Sequence, residues 1–271
     1  MRVGDSPLCV PRGGNGLLRV GVQRWASGVA SLDTALGGGL AYGRVHELYA
    51  AQGEDVPAAA GFALALLTAM AGLEAGDGRA ALWLRSRRAV RQAGVVQANG
   101  WTELGGQPGD CIFAMIADAK DLLKAAVDGL RSGALGAVVV ETQGNLPELD
   151  LTASRRLALA AEKSGTTLFL LRSEAEPVPS AAETRWQVAA APSRALPANA
   201  PGTPVFDIEL LRQRAGPSGL SWQLECNRDR RIFTEAAAAG ALVSLPARGS
   251  PAAAGAEPDR PEAKEAIQRA A

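Results

Sequence analysis

Apolar and polar positions along the chain follow two different rhythms. From residue 45 to residue 172, short apolar runs alternate with longer stretches of helical period. VHELYA (45–50), AALWL (80–84), CIFAMI (111–116), AVVVE (137–141) and TTLFLLR (166–172) read as strands. They hold too few polar positions for a solvent face, so they are expected to be buried. An apolar helix is expected at about 58–73 and another at about 150–163. In DAKDLLKAAVDGLRSG, the residues Ala119, Leu122, Leu123, Ala126, Val127 and Leu130 recur at the spacing of a helix laid on a core. Strands alternating with helices of this length predict a parallel sheet covered on both faces.

After residue 180 the period changes to two. RWQVAA, VFDIELLRQR and LSWQLECNRD alternate apolar and polar residues, separated by PSRALPANAPGTP and AGPSG. These predict half-exposed antiparallel strands that complete the sheet. Residues 1–24, rich in Gly, Pro and Arg, are expected to be a flexible leader ending in a short pairing strand, GLLRVGV. The folded domain is expected over 25–245, followed by a Pro-, Ala- and charge-rich disordered tail at 246–271. Within that tail, PEAKEAIQRAA has the composition of a short helix.

Composition narrows the picture only slightly. The 271 residues suit one large α/β domain with tails, and 28 basic against 28 acidic side chains give no overall field for a polyanion. Cys9, Cys111 and Cys226 lie far apart and His46 is the single histidine, so neither a zinc site nor a disulfide framework is expected. His46, in an apolar run with no nucleophile beside it, reads as a packed core residue. No run reaches about 18 apolar residues, so no membrane partner and a cytoplasmic location are expected.

The chemistry concentrates at GRVHELYAAQGEDVPAAAGFALALL (43–67), which has the strand, Gly-bearing turn and helix of a phosphate-binding unit. Such a turn ends in lysine and a hydroxyl residue. This one runs Ala50, Ala51, Gln52, Gly53, Glu54, Asp55, Val56, Pro57. Lysine would supply charge-assisted hydrogen bonds of about 1.5–3 kcal/mol each. Valine supplies none, and two carboxylates stand where N–H donors and positive potential are needed. As helix punctuation the same residues make sense, with Asp55 as a cap and Pro57 in the first turn.

The preceding stretch, ASGVASLDTALGGGLAYGRVHELYA, resembles the lead-in to the RecA-type ATPase core. The resemblance rests on Ser31, Leu32, Asp33, Ala35, Leu36, Gly37, Gly39, Leu40, Gly43 and Arg44. SGALGAVVVETQGNL (132–146) resembles that family's Walker B strand, and AEKSGTTLFLLR (161–172) the helix and strand after it. The similarity covers about residues 27–190. It implies a RecA-like, degenerate P-loop NTPase core: a mostly parallel sheet with helices on both faces and an antiparallel β extension on the C-terminal side. The functional residues of that family do not carry over. Asp55 stands at the glycine before the lysine, Val56 at the lysine and Pro57 at the magnesium-holding hydroxyl. Glu141 takes the Walker B position, no carboxylate occurs between Arg79 and Gln97 to activate water, and Leu171 and Arg172 replace the sensor pair. No enzymatic activity and no cofactor are therefore expected.

ELLRQRAGPSGLSWQLECNRDRRIF (209–233) resembles a segment of the ImuA proteins of bacterial inducible mutagenesis, through Leu211, Arg212, Gly219, Trp222, Glu225, Asn227, Arg228, Asp229, Arg230 and Arg231. The resemblance implies a non-catalytic accessory protein of SOS-induced translesion synthesis, acting at the nucleoid. Its implied partners are RecA and an ImuB-like Y-family-related protein, with an error-prone replicative-type polymerase in the same assembly. Residues 17–24 and 261–271 are expected docking segments. Two alternatives stay open: a SulA-type SOS cell-division inhibitor and a residual RecA-like ATPase.

Two groups of residues are candidates for interaction. Arg85, Arg87, Arg88 and Arg91 form a basic run suited to DNA phosphates or an acidic partner segment, or simply to solvent. No aromatic residue is interleaved with them, so a base-stacking platform is not indicated. Trp222 with Arg228, Arg230 and Arg231 has the composition of an interface hot spot, or of a strand end with the tryptophan buried. The acidic, proline-bearing stretch SEAEPVPSAAE (173–183) lacks the positive charge of the DNA-binding loop in recombinases.

Overall fold

The computed structural model describes residues 22–71, 79–107, 109–200 and 202–236. The expected leader strand up to residue 21 and the expected tail lie outside these residues. In chain order the elements begin with β1 (Arg24–Trp25), α1 (Ala30–Ala35), β2 (Leu40–Ala41), β3 (Val45–Ala50) and α2 (Val56–Ala71). Next come β4 (Ala81–Ser86), α3 (Arg87–Ala93), α4 (Ala98–Glu103), β5 (Cys111–Ile116) and α5 (Ala119–Arg131). They continue with β6 (Ala137–Gln143), α6 (Leu151–Ser164), β7 (Thr167–Ser173) and β8 (Thr184–Ala191). The last three are β9 (Val205–Gln213), β10 (Leu220–Asn227) and β11 (Ile232–Glu235).

Nine strands form one sheet in the order β11-β10-β9-β8-β3-β7-β6-β4-β5. The strands from β8 to β5 in that order run parallel, and β9, β10 and β11 continue the sheet antiparallel. Two expectations need correction. RWQVAA belongs to β8, which is parallel to β3 on one side and antiparallel to β9 on the other, so it joins the two regimes. CIFAMI is not buried: β5 is the last strand of the sheet, and Ile112, Phe113 and Met115 are exposed. An apolar run alone does not distinguish a central strand from an edge.

Each face of the sheet holds one core. On the first, α2 covers Leu48, Trp83, Val139, Phe169, Leu171, Trp186 and Val188. On the second, α5 and α6 cover Val45, Leu84, Val138, Val140, Leu168 and Leu170. Alternate residues of each strand feed the two cores, which is why these strands carry so few polar positions. The stretch Gly53–Ala71 has 19 residues of mean hydropathy 1.3, so it matches a membrane span in length and composition, contrary to expectation. It is apolar all round because it lies against the sheet, where 67% of its apolar window is buried. By contrast α5 buries one stripe, Leu122, Leu123, Ala126 and Leu130, with Ala119 and Val127 half-buried at its margin. Asp118 caps it by accepting from the N–H groups of Lys120 and Asp121.

Connections leave neighbouring strands in different directions. After β3 the chain crosses to α2 on the first face. After β7 it runs beside α6 on the second face, where Ala181 N donates to Ser154 Oγ at 2.8 Å. At the C-terminal ends of β3 and β7 the connections therefore part to opposite faces, the topological position at which open α/β sheets bind ligands.

Candidate functional site at the C-terminal ends of the strands

The turn after β3 is closed on itself. Residues Gly53–Asp55 form a single 3-10 turn that runs into α2. Asp55 is turned inward: its Oδ2 accepts from Gln52 N at 3.2 Å and its Oδ1 from Ala190 N, near the end of β8, at 2.9 Å. Ala51 N donates to Val188 O and Asp55 N to Gln52 O. The backbone donors of Ala51, Gln52 and Asp55, which a phosphate cradle would point at its ligand, are thus taken by the protein itself. Glu54 stands exposed on the rim, and Val56 is buried at the start of α2. Asp55 is not the N-cap that the sequence suggests: Gln52 takes that position, Asp55 stands at N3 and reaches back to it, and it also pins the turn to β8.

Glu141 is buried in the middle of the first face. Arg85 meets it with two hydrogen bonds, Nε to Oε2 at 2.7 Å and Nη2 to Oε1 at 2.6 Å. Trp83 Nε1 donates to the same Oε2 at 2.7 Å. Both carboxylate oxygens are engaged and the charge is matched by a guanidinium, so the group does not present itself to a magnesium ion. The donor set around the turn and Glu141 fits neither a nucleotide nor its metal.

Pairing with Glu141 also corrects the reading of the basic run. Arg85 is a core residue, held in place by Glu141 and by the carbonyl of Gly94, to which its Nη1 donates at 2.7 Å. Its side chain points inward because position 85 shares a face with Trp83. Arg87, Arg88 and Arg91 on α3 remain exposed. Arg88 packs over the turn after β6, 3.4 Å from where a Cβ on Gly144 would lie.

A second ionic cluster lies under the same ends on the opposite face. Glu47 Oε2 accepts from Arg185 Nε at 2.6 Å, and Arg172 Nη1 donates to the Tyr49 hydroxyl at 2.9 Å. The Arg172 and Arg185 guanidinium carbons stand 5.4 and 5.7 Å from the centre of the Tyr49 ring. Arg185 also donates to Val178 O and Ser180 Oγ, tying down the acidic loop after β7. Sequence reasoning missed this cluster. Its signal was the presence of Glu47 and Arg172 within otherwise apolar runs, since charges buried in strands require partners.

The motif leading into β3 is structural. Asp33 Oδ1 accepts from Ser27 N, Ser31 Oγ donates to Glu235 Oε1, and Arg24 Nη1 donates to the carbonyls of Leu36 and Gly39. Gly39, with φ 111°, has no room for a side chain: a Cβ there would sit 2.0 Å from Trp25 O. These residues fasten α1 and the β1–β2 pair over the first core. Trp222 belongs to the same assembly, half-buried, with its Nε1 donating to Ser31 Oγ and its ring 6.2 Å from that of Trp186. Arg228, Arg230 and Arg231 lie past the end of β10, about 20 Å away along the strand. Trp222 and the three arginines therefore do not form one patch. Arg228 and Arg230 are exposed, while Arg231 lines a cleft of about 230 Å³ with Tyr42, Trp101 and Asp110, at the opposite ends of the strands from the phosphate-loop position.

His46 is fully buried, as its sequence context predicts. Its Nε2 faces Ala41 O at 2.9 Å and so carries the proton, while Nδ1 accepts from Thr184 Oγ1 at 2.7 Å. Thr184 Oγ1 in turn accepts from Trp186 Nε1. Burial drives the imidazole pKa from 6.5 down to about 4. The unfolded chain therefore binds a proton between those values that the folded chain does not, and stability falls as pH drops through this window. Between pH 7.5 and pH 5 the loss from this group should be about 2 kcal/mol. Urea unfolding at both pH values should show that extra loss in the wild type and not in His46→Gln.

Together, fold and site define a class: an α/β protein with a mostly parallel sheet covered on both faces, whose turn after β3 is filled by its own carboxylate. No family model matches the chain. The ImuA proteins of two Caulobacter vibrioides strains are 33% identical to it over 210 residues, 73% of this chain and 81% of theirs. The solved RadB recombinase aligns at a TM-score of 0.47 and 14% identity, over 78% of this chain and 99% of that one. The chain belongs to the ImuA family, proteins associated with SOS mutagenesis.

Proposed function

We propose that this chain is a non-catalytic accessory protein of SOS-induced mutagenic translesion synthesis, acting by binding RecA, an ImuB-like Y-family-related partner, or both. The observation that carries the non-catalytic part is the turn after β3, where the Asp55 carboxylate holds Gln52 N and Ala190 N. The Arg85–Glu141 pair supports it, because the Walker B-like carboxylate is already neutralised. Family membership supports the mutagenic role. The exposed Arg87, Arg88 and Arg91 supply positive charge for an acidic partner surface or for DNA.

Thermal unfolding with and without millimolar Mg-ATP tests the first half. A ligand at a hundredfold excess over Kd stabilises by about 2.7 kcal/mol. For a chain of this size that corresponds to roughly 5–11 °C in Tm. No shift is expected here, and a shift of that size would reinstate the ATPase reading. Reconstituted pull-downs with RecA and with the ImuB-like protein, with and without single-stranded DNA, test the second half. Capture should weaken in Arg87→Glu/Arg91→Glu; absence of capture by either partner removes the binding role.

A further inference from the structure

The two edges of the large sheet end differently. β11 has four residues, and the segment Trp25–Gly28 runs along it, with Phe233 N donating to Ser27 O at 2.8 Å. β5 forms the other edge, and no described segment pairs with its outer side. Its residues, CIFAMI, include no charge and no proline, and its register with β4 is unbroken from Cys111 to Ile116. Natural edges ordinarily carry one of those protections. Ile112, Phe113 and Met115 are 54%, 44% and 57% exposed, so apolar surface is open on both faces of the strand.

We propose that β5 is a self-pairing edge, through which two copies of the chain join by antiparallel β5–β5 pairing across a two-fold axis normal to the sheet. Such an axis carries each face of the sheet onto the same face of the other copy. Residues facing each other must then share a face, which limits the registers to those centred on a residue. Centring on Ala114 sets Phe113 against Met115 of the second copy and Ile112 against Ile116, each pair occurring twice. Phe113 is already braced on Trp83, with ring centroids 5.8 Å apart, and offers its ring to a thioether. Ala114, the smallest residue of the strand, falls on the axis, where the backbones approach most closely.

Charge is compatible with this arrangement. No like charges face each other within the ladder. Asp110, just before β5, looks toward the first turn of the other copy's α5. There the Asp118 carboxylate is taken up by the N–H groups of Lys120 and Asp121, and Lys120 together with the helix N-terminus offsets Asp118 and Asp121. One strand edge and its side chains bury a few hundred Å² per copy, less than the roughly 800 Å² per partner of a standard interface. The dimer is therefore weak and reversible. It is also closed, because each copy uses the edge that no described segment covers.

Sedimentation velocity of the full chain, from low micromolar to several hundred micromolar, reads the association directly. The wild type should pass from monomer to dimer, and Met115→Lys and Ile112→Lys should each raise the dimer Kd by at least about tenfold. Circular dichroism checks that both variants fold. Should either fail, amide exchange of 111–116 in the wild type still decides, since it should slow as concentration rises. A wild type that stays monomeric, a dimer indifferent to both substitutions, assemblies larger than two, or exchange at 111–116 that slows only with another protein would each overturn the proposal.

Discussion

Glu141→Ala should lower the unfolding free energy by about 3–5 kcal/mol, the loss that follows when one member of a buried ion pair is removed. Arg85 would remain in the core with no carboxylate, and Trp83 Nε1 would lose its acceptor. The double variant Arg85→Met/Glu141→Leu should recover most of that loss, because the charges that require each other leave together. Urea melts of the wild type, the single variants and the double variant form the thermodynamic cycle. A single variant within about 1 kcal/mol of the wild type would show that the pair is hydrated rather than buried. Such a result would also return Glu141 to the list of groups free to meet a metal ion.

Restoring the missing phosphate-loop residues should not restore a phosphate loop. Val56→Lys/Pro57→Thr replaces a valine that is only 6% exposed with an ammonium. Burying that charge should destabilise the fold by about 3 kcal/mol or more. At this chain length, that is a drop of roughly 6–12 °C in Tm. Mg-ATP should produce no compensating shift, since Asp55 still holds Gln52 N and Ala190 N. Stabilisation of the double variant by Mg-ATP would mean that substitution alone silenced the turn and that its backbone stayed competent.

Much of this site was legible before any coordinates. The order Gly53, Glu54, Asp55, Val56, Pro57 departs from a phosphate loop at each charged or donor position, and the element boundaries near it depend on local signals. Helix punctuation by Asp55 is such a signal, and so is the period of α5. The partner of Glu141 was not legible. Arg85 is 56 positions away and stands in a run of arginines, where nothing local separates the inward one from the outward ones. The end of β4 at Ser86 makes that separation: Arg85 is the last strand residue on the Trp83 side, whereas Arg87, Arg88 and Arg91 stand on α3, outside the sheet. Trp222 and its three neighbouring arginines failed as a group for a related reason. An extended strand sets residues six apart about 20 Å from each other, although they look adjacent in the sequence.

What the sequence determined by itself was the alternation of short apolar runs with helical stretches, the loss of the nucleotide-holding groups and the apolar character of each strand. These depend on interactions within a few residues, or on burial that any sheet would supply. Tertiary structure alone decided which strand became the edge, which charges met in the core and which donors Asp55 would occupy. CIFAMI and AVVVE look alike as strings, yet one ends the sheet and the other lies in its middle. That difference comes from strand order, which is set by the packing of α2, α5 and α6 on the two faces and by no property of the strand itself.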